Sequence, residues 1–158
     1  LNRALLTHPT VTARLADRTP VDCGVLEPNA EPLGAPFEVW EQDGVLHLLL
    51  GNAVPIDAWM MKEILRCLHQ LDPIGGEPVM VQQREVARMT PDAKSFLVRV
   101  CRSEVRPVAF IASDLPDRIQ GDFFARFHKP AFPFRVFAVP EHAFDWFTRY
   151  ANGLRVVR

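Results

Sequence analysis

From Phe37 onward the chain alternates short apolar runs with longer stretches in which apolar residues recur every three or four positions. "FEVWEQDGVLHLLL" holds two apolar-rich runs joined by Asp43-Gly44, a pair that supplies the positive φ angles a tight hairpin turn demands. A β-hairpin is expected there. In "IDAWMMKEILRCLHQL", Ile56, Trp59, Met60, Ile64, Cys67, Leu68 and Leu71 share one side of a helix, while Lys62, Glu63, Arg66 and Gln70 fall elsewhere. Pro73 and Gly75-Gly76 end that helix, and "PVMV" reads as a short buried strand. Thr90-Pro91-Asp92 opens a second helix. Thr90 can cap the free amides, Pro91 takes the position where its missing N–H costs nothing, and Asp92 favours the positive end of the dipole. Ala93, Phe96, Leu97, Val100 and Cys101 are its expected buried face.

"RPVAFIAS" is the next strand, followed by a helix capped by Asp114, with Pro116 in its first turn and Asp117 at the acidic capping-box position. Leu115, Ile119, Phe123 and Phe127 recur every four residues, which predicts that they form the buried face. His128 and Lys129 place cations at the helix end and Pro130 stops it. "FRVFAV" is a final strand, and "PEHAFDWFTRYANG" a final helix led by Pro140 and stopped at Gly153. The dense segment "FFARFHKPAFPFRVF" is therefore a junction between helix and strand, and its rings are expected to meet in one core. An RNA-stacking strand would want glycines where Pro130 and Pro133 stand. Strands joined through helices imply parallel pairing. The expected fold is α/β: a mixed, mostly parallel sheet of about five strands with an N-terminal hairpin and about four helices.

Residues 1–36 differ. Pro9, Pro20, Pro28, Pro32 and Pro36 interrupt every period, so the segment reads as an arm or linker, with room for a short helix near Leu5 or Leu15. The domain is then 37–153, with 154–158 as a tail. A chain of 158 residues fits one such domain and one core. The 18 Lys+Arg against 19 Asp+Glu give a net charge of -1, which offers no footprint for a nucleic-acid backbone. No apolar run approaches the roughly 20 residues of a membrane-spanning helix. The N-terminal "LNRALLTHPTVTARL" lacks a basic segment followed by an uninterrupted apolar one, so no secretory signal is expected. Cys23, Cys67 and Cys101 form no close pair and would leave an odd thiol, the pattern of a reducing compartment; a cytoplasmic address is expected.

The element order resembles the STAS, or SpoIIAA-like, fold. The ending is especially similar to a group of uncharacterised bacterial STAS-like domains. It shares with them a phenylalanine pair (Phe123-Phe124), a basic residue before proline (Lys129-Pro130) and a Phe-Pro turn (Phe132-Pro133). A strand Arg135-Val136-Phe137 and a helix Ala143-Phe144-Asp145-Trp146-Phe147 complete the likeness, which covers about residues 37–151. In the anti-sigma-factor antagonists of this fold, a partner kinase phosphorylates a serine at the start of the second helix, after a strand ending in aspartate. Here Gln82 stands at the aspartate and Pro91-Asp92 at the serine, so the resemblance implies the interaction without the phosphorylatable serine.

Catalytic chemistry finds no constellation. The histidines His8, His47, His69, His128 and His142 lack the helical spacing of a metal pair, and Asp114 and Asp117 are accounted for as caps. No glycine-rich phosphate loop occurs, and Ser95, Ser103 and Ser113 lie beside no evident base. Neither an enzyme nor a cofactor is expected. Two functions remain. The first is a regulatory protein-interaction module whose partner, of the kinase or anti-sigma-factor type, meets the second-helix start at Arg84, Glu85, Arg88, Thr90, Asp92 and Arg99; a homodimer is compatible with it. The second is a small apolar-ligand or lipid carrier, since other relatives of the resembled fold enclose apolar ligands and the Phe-rich third helix could line a pocket.

Overall fold

The computed structural model describes residues 11–12, 37–51, 55–83, 88–102 and 105–156. The hairpin forms as expected from β2 (Phe37–Gln42) and β3 (Val45–Leu50). Asp43 at φ 54 and Gly44 at φ 74 make the two-residue turn, and the Glu41 carboxylate accepts the Gly44 amide at 2.9 Å. A two-residue β1 (Val11–Thr12) pairs antiparallel with β2, so the Pro-interrupted arm contributes to the sheet. The helix expected near Leu5 or Leu15 lies outside the described residues, as does Cys23.

Helix α1 (Ala58–Leu71) leads to β4 (Val79–Gln83), α2 (Pro91–Val100) to β5 (Val108–Ile111), and α3 (Leu115–Phe123) to β6 (Phe134–Phe137). Each of these strands adds in parallel beside the last, and α4 (Pro140–Val156) closes the order. The sheet therefore runs β1-β2-β3-β4-β5-β6, an α/β fold with a hairpin at one side. The expected stop at Gly153 is not one. Its φ is not in the left-handed region, a Cβ there would meet open space, and α4 continues to Val156 across the expected boundary of the tail.

Because the strand order follows the chain order, the three crossover helices share one face of the sheet. Phe37, Val39, Leu46, Leu48, Leu50 and Val79 point to that face and meet Met60, Met61, Ile64, Cys67 and Leu68 of α1 and Ala93 of α2. Alternate residues of the same strands, Val45, Met80, Ala109 and Ile111, point the other way and meet Ala143, Trp146 and Phe147 of α4. His47 shares this second side, stacked on Trp40 at 5.0 Å and tilted against Phe144 at 6.3 Å.

The third helix corrects the sequence reading. Leu115, Ile119, Phe123 and Phe127 are all exposed, Phe127 to 70%. The face turned to the sheet carries Asp117, Gly121 and Phe124 instead. Gly121 explains this orientation: a Cβ there would stand 2.7 Å from Cγ2 of Val136 and 2.9 Å from Cδ1 of Phe110, so the bare backbone packs on β5 and β6. After Phe123 the helix widens into a π turn (Phe124–His128) and ends at Lys129, which adopts a left-handed φ of 44. Of the dense aromatic junction, Phe124 and Phe132 are buried with Cys101, and Phe134 packs against them; this part of the expected core is present. On α2, Ala93 and Cys101 are buried and Phe96 and Leu97 pack partly, but Val100 is exposed.

Candidate functional site

The expected interaction residues gather only in part. Arg84 and Glu85 lie outside the described residues. Thr90 is the N-cap of α2: its hydroxyl accepts the Ala93 amide at 3.3 Å and donates to the Ile56 carbonyl at 3.2 Å. The Ile56 amide donates to the Arg88 carbonyl at 2.8 Å, and the Thr90 amide donates back to Ile56 at 2.9 Å. Thr90 is thus a clamp between the entries to α1 and α2. Asp92 is exposed in the first turn, and a hydrogen bond with the Thr90 side chain, helped by backbone amides, holds its carboxyl below the usual range. Arg99 lies at the far end of the helix, about 10 Å along its axis, with its guanidinium 5.6 Å from the Phe96 ring centroid. Arg88, Thr90 and Asp92 form one group; Arg99 stands apart.

The larger feature is a cavity of about 510 Å³ between the sheet and the three crossover helices. The sheet side is Leu48 and Leu50, Val79, Val81 and Gln83, Val108 and Phe110, and Phe134. Period-two alternation makes these the inward residues of their strands, and it places Gln83 in register with Val79 and Val81. Met61, Ile64, Leu65 and Leu68 of α1 face them, with Leu97, Val100 and Cys101 of α2 and Gln120, Gly121 and Phe124 of the third helix. The space exists because α3 brings no apolar side chain inward until Phe124: Gly121 has none, and Gln120 is polar. The volume falls within the roughly 300–1,000 Å³ typical of small-molecule sites.

The charge on this lining has one sign. Arg88, Lys94 and Arg106 contribute to it, and no carboxylate does among the described residues. Arg106 is 3.6 Å from Asp72, which also accepts the amides of Gly75 and Glu77 through Oδ1 and Oδ2. Lys94 holds its ammonium 5.7 Å from the Phe123 ring centroid. Burial, and then the Lys94 charge, push the His128 imidazole below its ordinary value. The Gln83 Oε1 is buried with no hydrogen-bond partner among the described residues.

The sequence reading passed over Gln83, Lys94 and Gln120. Two signals marked the first two. Gln83 continues the inward register of β4, and Lys94 shares the spacing of Leu97 and Cys101 on α2. Asp114 is confirmed as a cap, accepting the Asp117 amide at 2.9 Å. Asp117 itself is buried, and burial followed by the Asp114 charge raises its carboxyl above the usual range.

Residues 39–151 match the model of a family described as a domain of unknown function, DUF7793. No curated protein and no solved structure matches the chain. Among the described residues, no helix is long and apolar enough to cross a membrane.

Proposed function

The chain belongs to the DUF7793 family, and we propose that it is a non-catalytic binding module that encloses a small apolar molecule between its sheet and its crossover helices. The observation that carries this reading is the cavity of about 510 Å³ with its aliphatic and aromatic lining. Natural cores pack at crystal-like density with few voids larger than a water molecule. The cavity's aliphatic and aromatic stretch along β4 and α1 offers water few of the two to four polar partners it needs. The resemblance to SpoIIAA-like domains agrees with the proposal, since relatives of that fold enclose apolar ligands.

The test is an organic-solvent extract of the native purified protein, analysed by mass spectrometry. An apolar compound at one equivalent per chain is the expected result. As a control, Leu97→Trp fills the space from α2 and should leave the protein folded and the extract empty. An empty extract from the unsubstituted protein, with no rise in thermal midpoint on adding apolar probes, would defeat the carrier reading.

A second reading, a regulatory module for a protein partner of the kinase or anti-sigma-factor type, is favoured by one separate observation. Leu115, Ile119, Phe123 and Phe127 form an exposed apolar stripe beside the start of α2, linked to it by Lys94. In this reading Arg88, Thr90 and Asp92 extend the contact surface. A pull-down with Phe127→Ser and Asp92→Arg measures it: a partner list unchanged by both substitutions would remove this face.

A further inference from the structure

We propose that the cavity takes an anionic amphiphile, a monomeric medium-chain carboxylate whose tail lies along β4 and whose head meets Lys94 and Arg88. This rests on the reading of the cavity as a ligand site and adds the chemical class. The residues divide the space along its length. Val79 begins β4 and Gln83 ends it, a span of about 13 Å at the rise of a strand. Beyond Gln83, at the carboxyl end of the strand, come Arg88 and the opening turn of α2 with Lys94. The tail end is bounded by Val79, Val108 and Phe132, with His69 and the Asp72-paired Arg106 at its edge.

Apart from its contact with the Phe123 ring, Lys94 is a cation at a place that works against one. It sits in the first turn of α2, where the helix dipole disfavours positive charge. Neither Lys94 nor Arg88 has a carboxylate partner among the described residues, whereas the third cationic chain of the lining, Arg106, is matched with Asp72. The contact of Lys94 with Phe123 uses the ring face and leaves its ammonium donors available to an oxyanion. Gln83 completes the head site. Its carbonyl oxygen is buried with no hydrogen-bond partner among the described residues, and a carboxylate that reaches it requires the amide to turn so that NH₂ donates. Two cations and an amide at one end of an apolar space, with no carboxylate in the lining among the described residues, match one negative charge on an aliphatic chain.

Native mass spectrometry and calorimetry of the full chain with laurate, dodecanol and dodecylammonium test the inference. Laurate should bind at one equivalent, at least about tenfold tighter than dodecanol, since a hydrogen bond to a charged group is worth about a decade of affinity. Dodecylammonium should bind weakest. Lys94→Gln and Arg88→Gln should each remove most of the preference for laurate, weakening laurate far more than dodecanol, and Lys94→Arg should retain it. Equal affinity for laurate and dodecanol would overturn the head-group assignment and leave the cavity reading standing. Binding of none of the three would overturn both. Association with phosphatidylglycerol vesicles without uptake of laurate would replace the enclosed monomer by a membrane surface and overturn the inference.

Discussion

The rings of Phe123 and Phe127 stack on each other with centroids 4.2 Å apart and planes 23° from parallel, on the side of the third helix turned away from the sheet. Each shields the other from water, and the Lys94 ammonium lies 5.7 Å from the Phe123 ring centroid. Removing one ring therefore loses a surface stack rather than a core residue. Phe127→Ala should cost about 1 kcal/mol or less, whereas Phe124→Ala, which empties a buried site between Phe134 and His128, should cost about 3–5 kcal/mol. Denaturant midpoints of the two variants decide the matter, and equal losses would return Phe127 to the core.

Gly121→Ala offers a second test. On an exposed helix the change would gain up to about 1 kcal/mol. Here the added methyl meets Val136 and Phe110, two residues fixed in the sheet, so a net loss of about 1–3 kcal/mol is expected. A variant more stable than the parent would show that α3 can lift from the sheet without cost.

Thr90→Ala should destabilise by about 1 kcal/mol, the usual worth of an N-cap. Thr90→Ser should recover most of it, because the serine oxygen can both accept from Ala93 and donate to the Ile56 carbonyl. Thermal melts of the pair suffice. If alanine were neutral, the clamp between α1 and α2 would rest on the backbone bonds of Ile56 alone.

The pH dependence has a definite sign. Burial and Lys94 lower the folded pKa of His128 below 6.5, so between the folded value and 6.5 the unfolded chain holds a proton that the folded one does not. Stability from this group is full above 6.5 and falls as the solution is acidified through that window. Glu77 and Asp117 act oppositely: burial, with neighbouring acids, raises both, so the folded state holds protons where the unfolded state has released them. Their contribution declines as pH rises above the ordinary carboxylate values of 4.5 and 3.8. His128→Gln should flatten the slope of thermal midpoint against pH just below 6.5. An unchanged slope would assign that proton to another group.

The parts of the fold legible in the sequence are those where one local rule suffices. Asp43-Gly44 demands a hairpin, and Met60, Ile64, Cys67 and Leu68 can be buried together only on a helix, whereas Ile56, which shares their spacing, lies before the N-cap in a bridge with Met89. The third helix misleads because periodicity identifies a stripe but not what the stripe faces. Leu115, Ile119, Phe123 and Phe127 would look the same turned toward the sheet or away from it, while the inward surface is marked by a glycine and a polar residue. The candidate site was harder still. A cavity is made of space left between elements distant in the chain, and only Gln83 and Lys94, polar groups on apolar periods, hinted that something other than hydrocarbon lies there.

The strand order β1-β2-β3-β4-β5-β6 has a consequence for how the molecule comes together. No strand has to be inserted between two already paired, because every addition docks on the edge left by its predecessor. Each closure from β3 onward spans a single helix and its flanking loops, and loop-closure entropy grows only logarithmically with length. The sheet can thus zip in one direction, from the hairpin toward β6, each step creating the template for the next. The unit that seals the reverse side, α4, finds its platform only after Ala109 and Ile111 have joined Val45 and Met80.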